Sequence, residues 1–591
     1  MVKKVLLSEF LIVAPALSIL TLGIYAGVLS HSFVAFDDLD YVVNNEWVRT
    51  GLSIENLSWA FSSLNANVSY WHPLTWLSHQ IDCELFGSNA GSHKLVSALI
   101  HSINASLLYL FFRRLQFSTW TCLVITGLFA WHPLRVESVA WVSERKDLLC
   151  SLFTLITFHA YFNYTERPSA WRMLVVFVSF VSALMSKPMA VTIPALLILL
   201  DFWPLRRMKF GSRFQDLLQI IFIEKLPLLT LSIAISILTV IAQNSLGIVA
   251  NTIDIPVAYR LANALASLWI YLLDFAYPVK LVAFYPYPND FSLWPVLLSL
   301  TAFVLVTAVA IKFRSRFPHL FVGWIWYVLT LLPVIGLIQV GDQARADRYT
   351  YLSNVGILLP IAGSLTWLHC VRPRLISVFI GLLGTFMITI TLQQIGYWKN
   401  SQTLFRRVLE HRPNSTMIRL GMIATLDRET QQDEVFHHLH RALQNEPESP
   451  HLHRVAASLY RHIGKIEAEL IHLRKSLYWD PTQPTLQRRL AYILSAHPDP
   501  AIRRPNEAVS LAEAAHSNAK GASRESFDTW AIAEASRGHF SAARDLASRA
   551  TQGSSAEVPT GMLHRLKLFD SSRPYIDYQL PARTHPGRHS K

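Results

Sequence analysis

The run VLLSEFLIVAPALSILTLGIYAGVLS (residues 5–30) is soon followed by FDDLDYVVNN (residues 36–45). A spanning helix needs about 20 mainly apolar residues, so the first run predicts a helix that crosses a membrane. It is too long for a signal-peptide core and lacks a small-residue cleavage site, which predicts an uncleaved span. Because a charge inside hydrocarbon is costly, the acids Asp37, Asp38 and Asp40 belong at the interface or in a wet cavity. The alternative for this stretch is a solvated turn in which an aspartate caps a short helix.

Composition divides the chain into two parts. The protein has 591 residues, of which 52% are hydrophobic and 16% are charged, whereas soluble domains carry about 25% charged residues. The shortage of charge is confined to residues 1–395, and residues 396–591 resemble a soluble protein. The net charge of +13 does not indicate a nucleic-acid partner, because the basic residues of the first part lie in short loops between apolar runs.

Charge asymmetry gives the topology of the first part, which we predict to be an all-α bundle of about eleven spans. Lys3 and Lys4 precede the first span and place the N-terminus in the cytoplasm. The apolar run 261–275 is not counted, because a crossing there would put Lys312 and its basic neighbours outside. We expect a re-entrant or interfacial helix within residues 243–290. The predicted spans are residues 5–30, 95–112, 117–131, 148–165, 173–186, 188–205, 226–242, 291–311, 319–340, 350–369 and 375–392.

The second part has a 34-residue period. Pro413, Pro447 and Pro481 are spaced 34 apart and close the similar phrases RVLEHRP, RALQNEP and KSLYWDP. This period is typical of tetratricopeptide repeats, although residues 485–525 interrupt it. We therefore predict an α-solenoid over residues 398–555, whose groove binds a protein or peptide. The Pro-, Arg- and His-rich tail, residues 571–591, is expected to be disordered.

Polar clusters embedded in the apolar part all fall, by this topology, on the outer side. The His-Pro pairs could simply end spans, and the basic side chains could be snorkelling anchors. Cations on the outer side nevertheless run against the positive-inside trend, so they favour an anionic partner such as a phosphate at the membrane surface. The candidate binding residues are His132, Glu137, Arg145, Lys146, Asp147, Lys187, Arg345, Arg348 and Tyr349.

Five phrases carry a resemblance to a known family. They are FDDxxYV (36–42), YWHPLTWLSH (70–79), HPLRVESVAWVSERKD (132–147), SKP (186–188) and ADRYTYL (346–352). Together with the repeats they resemble the bacterial relatives of the transmembrane-and-tetratricopeptide-repeat (TMTC) proteins. That family is placed in the GT-C superfamily of membrane glycosyltransferases, near the protein O-mannosyltransferases.

The resemblance implies a function for the outer residues. GT-C enzymes take a sugar from a polyprenyl-phosphate donor, and an acid of the first outer loop serves as base. The Asp-Glu pair of the mannosyltransferases is matched here by Asp37 and Asp38, with Asp37 favoured as the base. The basic residues would neutralise the leaving lipid phosphate, and His132 and Glu137 would hold sugar hydroxyls or orient the base. The resemblance leaves the sugar, the acceptor and any divalent metal open.

Two other functions stay open at this point. One is a glycosyltransferase that acts on a glycolipid or polysaccharide instead of protein. The other is a non-catalytic scaffold that anchors the repeats to the membrane. In each case we expect a multi-pass protein of a bacterial inner membrane, with its N-terminus in the cytoplasm and its repeats outside the cytoplasm.

Topology is directly testable. A reporter that is active only outside the cytoplasm, fused after residue 400, should be active, because the inner loops hold Arg113, Arg206, Lys312 and Arg372. A reporter active only in the cytoplasm, fused at the same point, serves as the control. Activity of that second reporter in place of the first would overturn the orientation.

Overall fold

The chain folds into two units, residues 1–413 and residues 414–591. A computed structural model describes residues 2–62, 71–207, 224–245, 255–288, 292–338, 341, 343–519, 523–551 and 558–582. Tyr70 of the second motif and the end of the tail, residues 583–591, lie outside the described residues. Among the described residues, the first unit contains all the membrane-length apolar helices.

Seventeen α-helices are described in the first unit, joined by short 3₁₀ and π turns. Two short strands, β1 (Tyr285–Pro286) and β2 (Gln343–Arg345), pair antiparallel. The helices are α1 (Val2–Tyr25), α2 (Glu46–Arg49), α3 (Ile54–Ser62), α4 (Pro73–Phe86), α5 (Ala90–Arg114), α6 (Thr119–Ala130), α7 (Val136–Ala140), α8 (Arg145–Glu166), α9 (Ala170–Ser186), α10 (Ile193–Phe202), α11 (Leu226–Ser245), α12 (Val257–Ala276), α13 (Leu293–Lys312), α14 (Pro318–Leu331), α15 (Thr350–Val371), α16 (Pro373–Tyr397) and α17 (Ser401–His411).

The apolar helices make this a membrane protein. Within the described residues, five helices are long and apolar enough to cross a bilayer, and shorter apolar helices accompany them. The five are Leu11–Ser30, Ala90–Arg114, Leu293–Lys312, Asp347–Val371 and Pro373–Tyr397. The all-α class is as predicted, and the total of about eleven spans stays a prediction.

Helix α5 lies at the centre of the packing, in contact with α1, α6 and α8. The N-terminal ends of α5 and α8 lie next to the acidic motif, residues 36–45. We call this end of the unit the acidic end. The C-terminal ends of the same two helices carry Arg113, Arg114 and Arg167, and we call this the arginine end. At 1.5 Å per residue α8 is about 33 Å long, so the two ends are about one hydrocarbon thickness apart.

Helix α12 covers the apolar run that was expected to be re-entrant or interfacial. Its backbone is one continuous helix, and three of its side chains contact a single segment next to the acidic end. Asn263 donates to the carbonyl of Ala344 at 2.8 Å, and Tyr271 accepts from the backbone N–H of Ala346 at 3.1 Å. Asp274 pairs with Arg345. Because its first and second halves both reach residues 344–346, α12 lies along that segment, and its re-entrant or interfacial placement stays a prediction.

The second unit consists of paired helices. Each pair is joined by a short turn, and Gly464 and Gly538 occupy two of these turns with φ of +69° and +89°. That region of backbone space favours glycine over other residues. The helices are α18 (Thr416–Thr425), α19 (Gln432–Asn445), α20 (Pro450–His462), α21 (Ile466–Trp479), α22 (Pro484–Ala496), α23 (Pro505–Asn518), α24 (Arg524–Ser536), α25 (Phe540–Thr551) and α26 (Thr560–Asp570).

The helix starts follow the 34-residue period of the sequence. Helices α18, α20 and α22 begin at residues 416, 450 and 484, and the next pair begins later, at residue 524, where the period is interrupted. Assignment as tetratricopeptide repeats stays a prediction.

Residues 571–582 differ from the disorder that composition predicts for the tail. Tyr492 donates to Asp577 at 2.7 Å, and the backbone N–H of Asp577 donates to the carbonyl of Ala496 at 2.8 Å. Leu580 is buried. This segment packs on the helices of its own unit because it carries apolar and aromatic side chains among its polar ones.

Close packing of α14 on α15 gives a stability prediction. A Cβ at Gly356 would lie 2.6 Å from the carbonyl oxygen of Gly323 and 2.7 Å from the backbone nitrogen of Tyr327, so Gly356→Ala must push the two helices apart. Overpacking of this kind costs about 1–3 kcal/mol. We expect a lower unfolding midpoint for the purified protein in detergent.

The matched control is Gly384→Ala on α16, where a Cβ would meet nothing within 4 Å. This change should leave stability equal or slightly raised, because alanine favours a helix by about 1 kcal/mol over glycine. Equal midpoints for Gly356→Ala and the wild type would show that α14 and α15 are not packed backbone to backbone.

Candidate active site

Asp38 is buried and held by backbone groups. Its Oδ2 accepts from the backbone N–H of Val34 at 3.0 Å, and its Oδ1 accepts from that of Ser143 at 3.0 Å. Burial raises the pKa of Asp38 to about 6, against the opposing charge of Lys94. The carboxylate therefore fastens the first acidic motif to the segment 142–144, and it has little capacity left for a substrate.

Asp37, the neighbouring acid, is only partly buried. Among the described residues no hydrogen bond or ion pair engages its carboxylate, although its backbone carbonyl accepts from Tyr41 and Asp40. Burial raises its pKa, and Lys146 opposes that effect. The charges of Glu144 and Arg348 also act on it. Asp37 thus presents an unengaged carboxylate next to a group of cations.

Glu144 is the centre of that group. It is 2% exposed, and its Oε1 lies 2.9 Å from the Nζ of Lys146 and 3.3 Å from the Nε of Arg348. Its Oε2 lies 3.4 Å from the Nζ of Lys187. Burial alone would raise the pKa of Glu144, but the three cations hold it well below its usual value. Glu144 therefore stays ionised and holds three positive charges together.

Two further acids complete this cluster, which we call the Glu144 cluster. Asp147 Oδ1 lies 2.6 Å from the Nζ of Lys187. Glu137 accepts from the Nη1 of Arg348 at 2.5 Å and from its backbone N–H at 3.0 Å. Aromatic rings cover the cluster. The guanidinium of Arg348 lies 5.1 Å from the ring centres of both Trp141 and Tyr349. The cluster also contains Tyr41, whose ring centre lies 4.7 Å from the Nζ of Lys146.

Arg145 points away from the Glu144 cluster. Its Nη1 lies 2.5 Å from Asp82 Oδ2, and its Nη2 donates to the carbonyl of His93 at 2.6 Å. The side chain is fully buried. Arg145 therefore joins α8 to α4 and α5 instead of facing a ligand.

The same place holds the group of described residues that could ligate a metal. His79, Asp82 and His93 have ligand atoms within 4.8 Å of one another, and all three are buried. The carboxylate already has a positive partner in Arg145. A divalent ion here would add to a buried positive charge, which the low dielectric disfavours.

His132 and Arg345 also have protein partners of their own. The Nε2 of His132 bonds to the carbonyl of Phe275 at 2.9 Å, and its Nδ1 accepts from the N–H of Leu134 at 3.2 Å. The Nη1 of Arg345 lies 2.5 Å from Asp274. Its guanidinium stacks 3.9 Å from the ring centre of Tyr285. These two residues position the β1–β2 segment and the turn after α6.

The structure thus sorts the candidates. It brings together Asp37, Glu137, Lys146, Asp147, Lys187, Arg348 and Tyr349, and it gives Asp38, His132, Arg145 and Arg345 structural contacts. Glu144 was absent from the candidate set although it stands between Ser143 and Arg145 in the motif. Its sequence signal was an acid followed directly by two basic residues, which resembles an ordinary surface charge pattern.

By fold and site, the chain is a helical membrane protein with a buried cluster of acids and cations at one end. Sequence comparison identifies its relatives. The human Protein O-mannosyl-transferase TMTC4 is 26% identical over 63% of this chain and 58% of the human protein. The Caenorhabditis elegans Protein O-mannosyl-transferase F38B6.6 is 23% identical over 67% of this chain and 57% of its own length. The Drosophila melanogaster Protein O-mannosyl-transferase Tmtc2 is 32% identical over 25% of this chain and 16% of the fly protein.

These matches confirm that the chain is a relative of the TMTC proteins, as its motifs indicate. The chain spans a little under three fifths of the length of the human TMTC4 and worm proteins. No protein-family model matches it.

Removal of the central carboxylate should destabilise the fold. Glu144→Gln leaves three buried cations with less negative charge, and breaking a buried ion pair costs about 3–5 kcal/mol. We expect this loss at pH 7 in chemical unfolding of the purified protein. Since the folded pKa of Glu144 is depressed, its contribution is present above the unfolded pKa of about 4.3 and is lost below it.

The difference between Glu144→Gln and the wild type should therefore narrow as the pH falls below about 4.3. Glu46→Gln, at an exposed position of α2, is the control and should unfold like the wild type at every pH. A Glu144→Gln protein as stable as the wild type at pH 7 would show that the carboxylate does not hold the cluster together.

Proposed function

We propose that this protein is a GT-C-type membrane glycosyltransferase. It moves a mannose-like sugar from a polyprenyl-phosphate donor to Ser or Thr hydroxyls of proteins outside the cytoplasm. The observation that carries the proposal is the position of Asp37, an unengaged carboxylate on which the charges of Lys146 and Arg348 of the Glu144 cluster act. The names of the relatives support the class of reaction, because each is called a protein O-mannosyl-transferase.

In this mechanism Asp37 acts as the general base. It takes the proton from the acceptor hydroxyl while the hydroxyl oxygen attacks the anomeric carbon of the donor sugar. The bond between that carbon and the phosphate oxygen breaks, and polyprenyl phosphate leaves with the bonding electrons. The raised pKa of Asp37, caused by burial, makes it a better proton acceptor than an exposed aspartate.

The cations of the cluster receive the leaving phosphate. An ammonium has three N–H donors and a guanidinium has five. The contacts of Lys187 with Glu144 and Asp147 leave it a donor to spare. Arg348 contacts its acids through Nη1 and Nε, which leaves Nη2. These spare donors can take phosphate oxygens, and the fixed acids keep the cations in place before the donor arrives.

The scaffold alternative explains the cluster less well. Removing charges from water costs several kcal/mol per ion even when they are paired. A protein that only anchors a solenoid to the membrane gains nothing from burying five or more charges around Glu144. A glycolipid or polysaccharide acceptor remains the second candidate, and it would use the same base and the same cations.

A pair of variants separates the two adjacent acids. Asp37→Asn removes the base but no bond between described residues, so transfer should fall by about 10²–10⁴-fold with the unfolding midpoint unchanged. Asp38→Asn replaces one of the two carboxylate oxygens by an amide nitrogen. One of the two backbone N–H groups that Asp38 binds, those of Val34 and Ser143, then loses its acceptor. This change should lower stability by about 1–3 kcal/mol while the folded fraction still transfers sugar.

The assay measures transfer of labelled sugar from polyprenyl phosphate to membrane and secreted proteins, and glycoproteomics identifies the modified residues. Label in lipid or polysaccharide in place of protein would support the second candidate acceptor. Transfer by Asp37→Asn at the wild-type rate would refute the assignment of the base.

A further inference from the structure

A basic cavity lies at the arginine end of the first unit. Its volume is about 730 Å³, and it opens between the C-terminal ends of α5, α8 and α10 and the start of α9. Four arginines and one acid line it, a formal excess of three positive charges. They are Arg113, Arg114, Arg167, Arg172 and Glu166.

Two of the arginines, Arg114 and Arg172, donate to neutral groups. Arg114 donates through Nη2 to the side-chain oxygen of Asn163 at 2.7 Å, and its buried Nη1 has no hydrogen-bond partner among the described residues. Arg172 donates to the carbonyls of Asn163 and Arg167, each at 2.9 Å. Among the ion pairs between described residues, none includes Arg114, Arg167 or Arg172. Among the described residues that line the cavity, four arginines face the single acid Glu166, so positive charge is in excess and favours an anionic ligand.

A second, apolar cavity continues from the basic one. It has a volume of about 320 Å³, lies between α8 and α9, and shares Trp171 and Val175 with the basic cavity. Phe153, Ile156 and Val178 are among its other lining residues. It extends along α9 from Trp171 to Ser182, which at 1.5 Å per residue is about 16 Å. This is about half of the hydrocarbon thickness of a bilayer, or one leaflet.

The two cavities together match the two parts of a phospholipid. Trp171 is 71% exposed at their junction, and indole rings favour the headgroup level of a membrane. Basic pockets between membrane helices are places where phosphate headgroups bind. An apolar groove of one leaflet length, directly below such a pocket, accommodates an acyl chain. A free phosphate would use the arginines but not the groove.

We propose that this is a binding site for an anionic glycerophospholipid, with the phosphate among the four arginines and one acyl chain in the groove between α8 and α9. The site lies at the membrane surface opposite the Glu144 cluster, because the two occupy opposite ends of α8. It is separate from the proposed sugar transfer and does not depend on it.

The test uses the full-length protein purified in a neutral detergent. Dioctanoyl phosphatidylglycerol should bind saturably, at least tenfold more tightly than zwitterionic dioctanoyl phosphatidylcholine. Glycerol phosphate, which has the phosphate but no chains, should bind at least tenfold more weakly than the phosphatidylglycerol. Equal affinity for the two lipids, or for glycerol phosphate and the lipid, would overturn the site. The site would also be overturned if the protein bound farnesyl phosphate but did not bind phosphatidylglycerol.

Two variants with matched controls locate the binding. Arg114→Gln/Arg167→Gln should weaken phosphatidylglycerol binding at least tenfold and abolish the preference over phosphatidylcholine. The control Arg372→Gln/Arg374→Gln removes the same charge from exposed positions that line neither cavity and should bind like the wild type. Equal losses in both double variants would indicate general attraction to net charge and refute the site.

The groove is tested separately, because loss of the contact between Arg114 and Asn163 could loosen the fold. Val178→Trp fills the groove from a position that is 53% exposed, so it leaves the core unchanged. It should weaken phosphatidylglycerol binding several-fold and leave glycerol phosphate binding as it was. Phe177→Trp, one residue along α9 and outside both cavities, is the control. Unchanged lipid affinity in Val178→Trp would refute the placement of the acyl chain.

Discussion

The carboxylate of Glu144 holds three cations together where water hardly reaches. Each cation comes from a different segment: Lys146 from the first turn of α8, Lys187 from the turn after α9, and Arg348 from the turn before α15. An uncompensated buried charge costs several kcal/mol, so none of these segments can move away without leaving a charge unpaired. The ionic contacts thereby fix the acidic end of the bundle, and the aromatic rings around Arg348 keep water out of it.

The adjacent residues Asp37 and Asp38, at the acidic end, have different surroundings. Asp38 is tied by backbone N–H groups of Val34 and Ser143, and it secures the loop to the segment that carries Glu144. Asp37 remains open toward the cations, and its backbone carbonyl begins the turn that follows. One acid therefore maintains the geometry in which the other can react. In the proposed mechanism this division lets the base keep its place although no described residue binds its carboxylate.

Helices α5 and α8 carry different chemistry at their two ends. The N-terminal end of α8 carries Lys146 and Asp147 of the Glu144 cluster, and its C-terminal end carries Glu166 and Arg167 of the basic cavity. A helix of 22 residues spans about 33 Å, so the cluster and the cavity are about one hydrocarbon thickness apart. The proposed transfer and the proposed lipid site consequently use the same rigid elements without sharing a residue.

Much of this architecture follows from local sequence. Apolar runs of membrane length and the 34-residue period determine the helices, and α18, α20 and α22 begin at the predicted spacing. The motifs also contain most of the residues that meet at the acidic end. Their pairing was decided only by the tertiary structure. Arg145 stands next to Glu144 and Lys146 in sequence but pairs with Asp82, because successive side chains of a helix point about 100° apart. Ser143, the partner of Asp38, is 105 residues away in sequence, and packing of separate helices alone brings two such groups within hydrogen-bond distance.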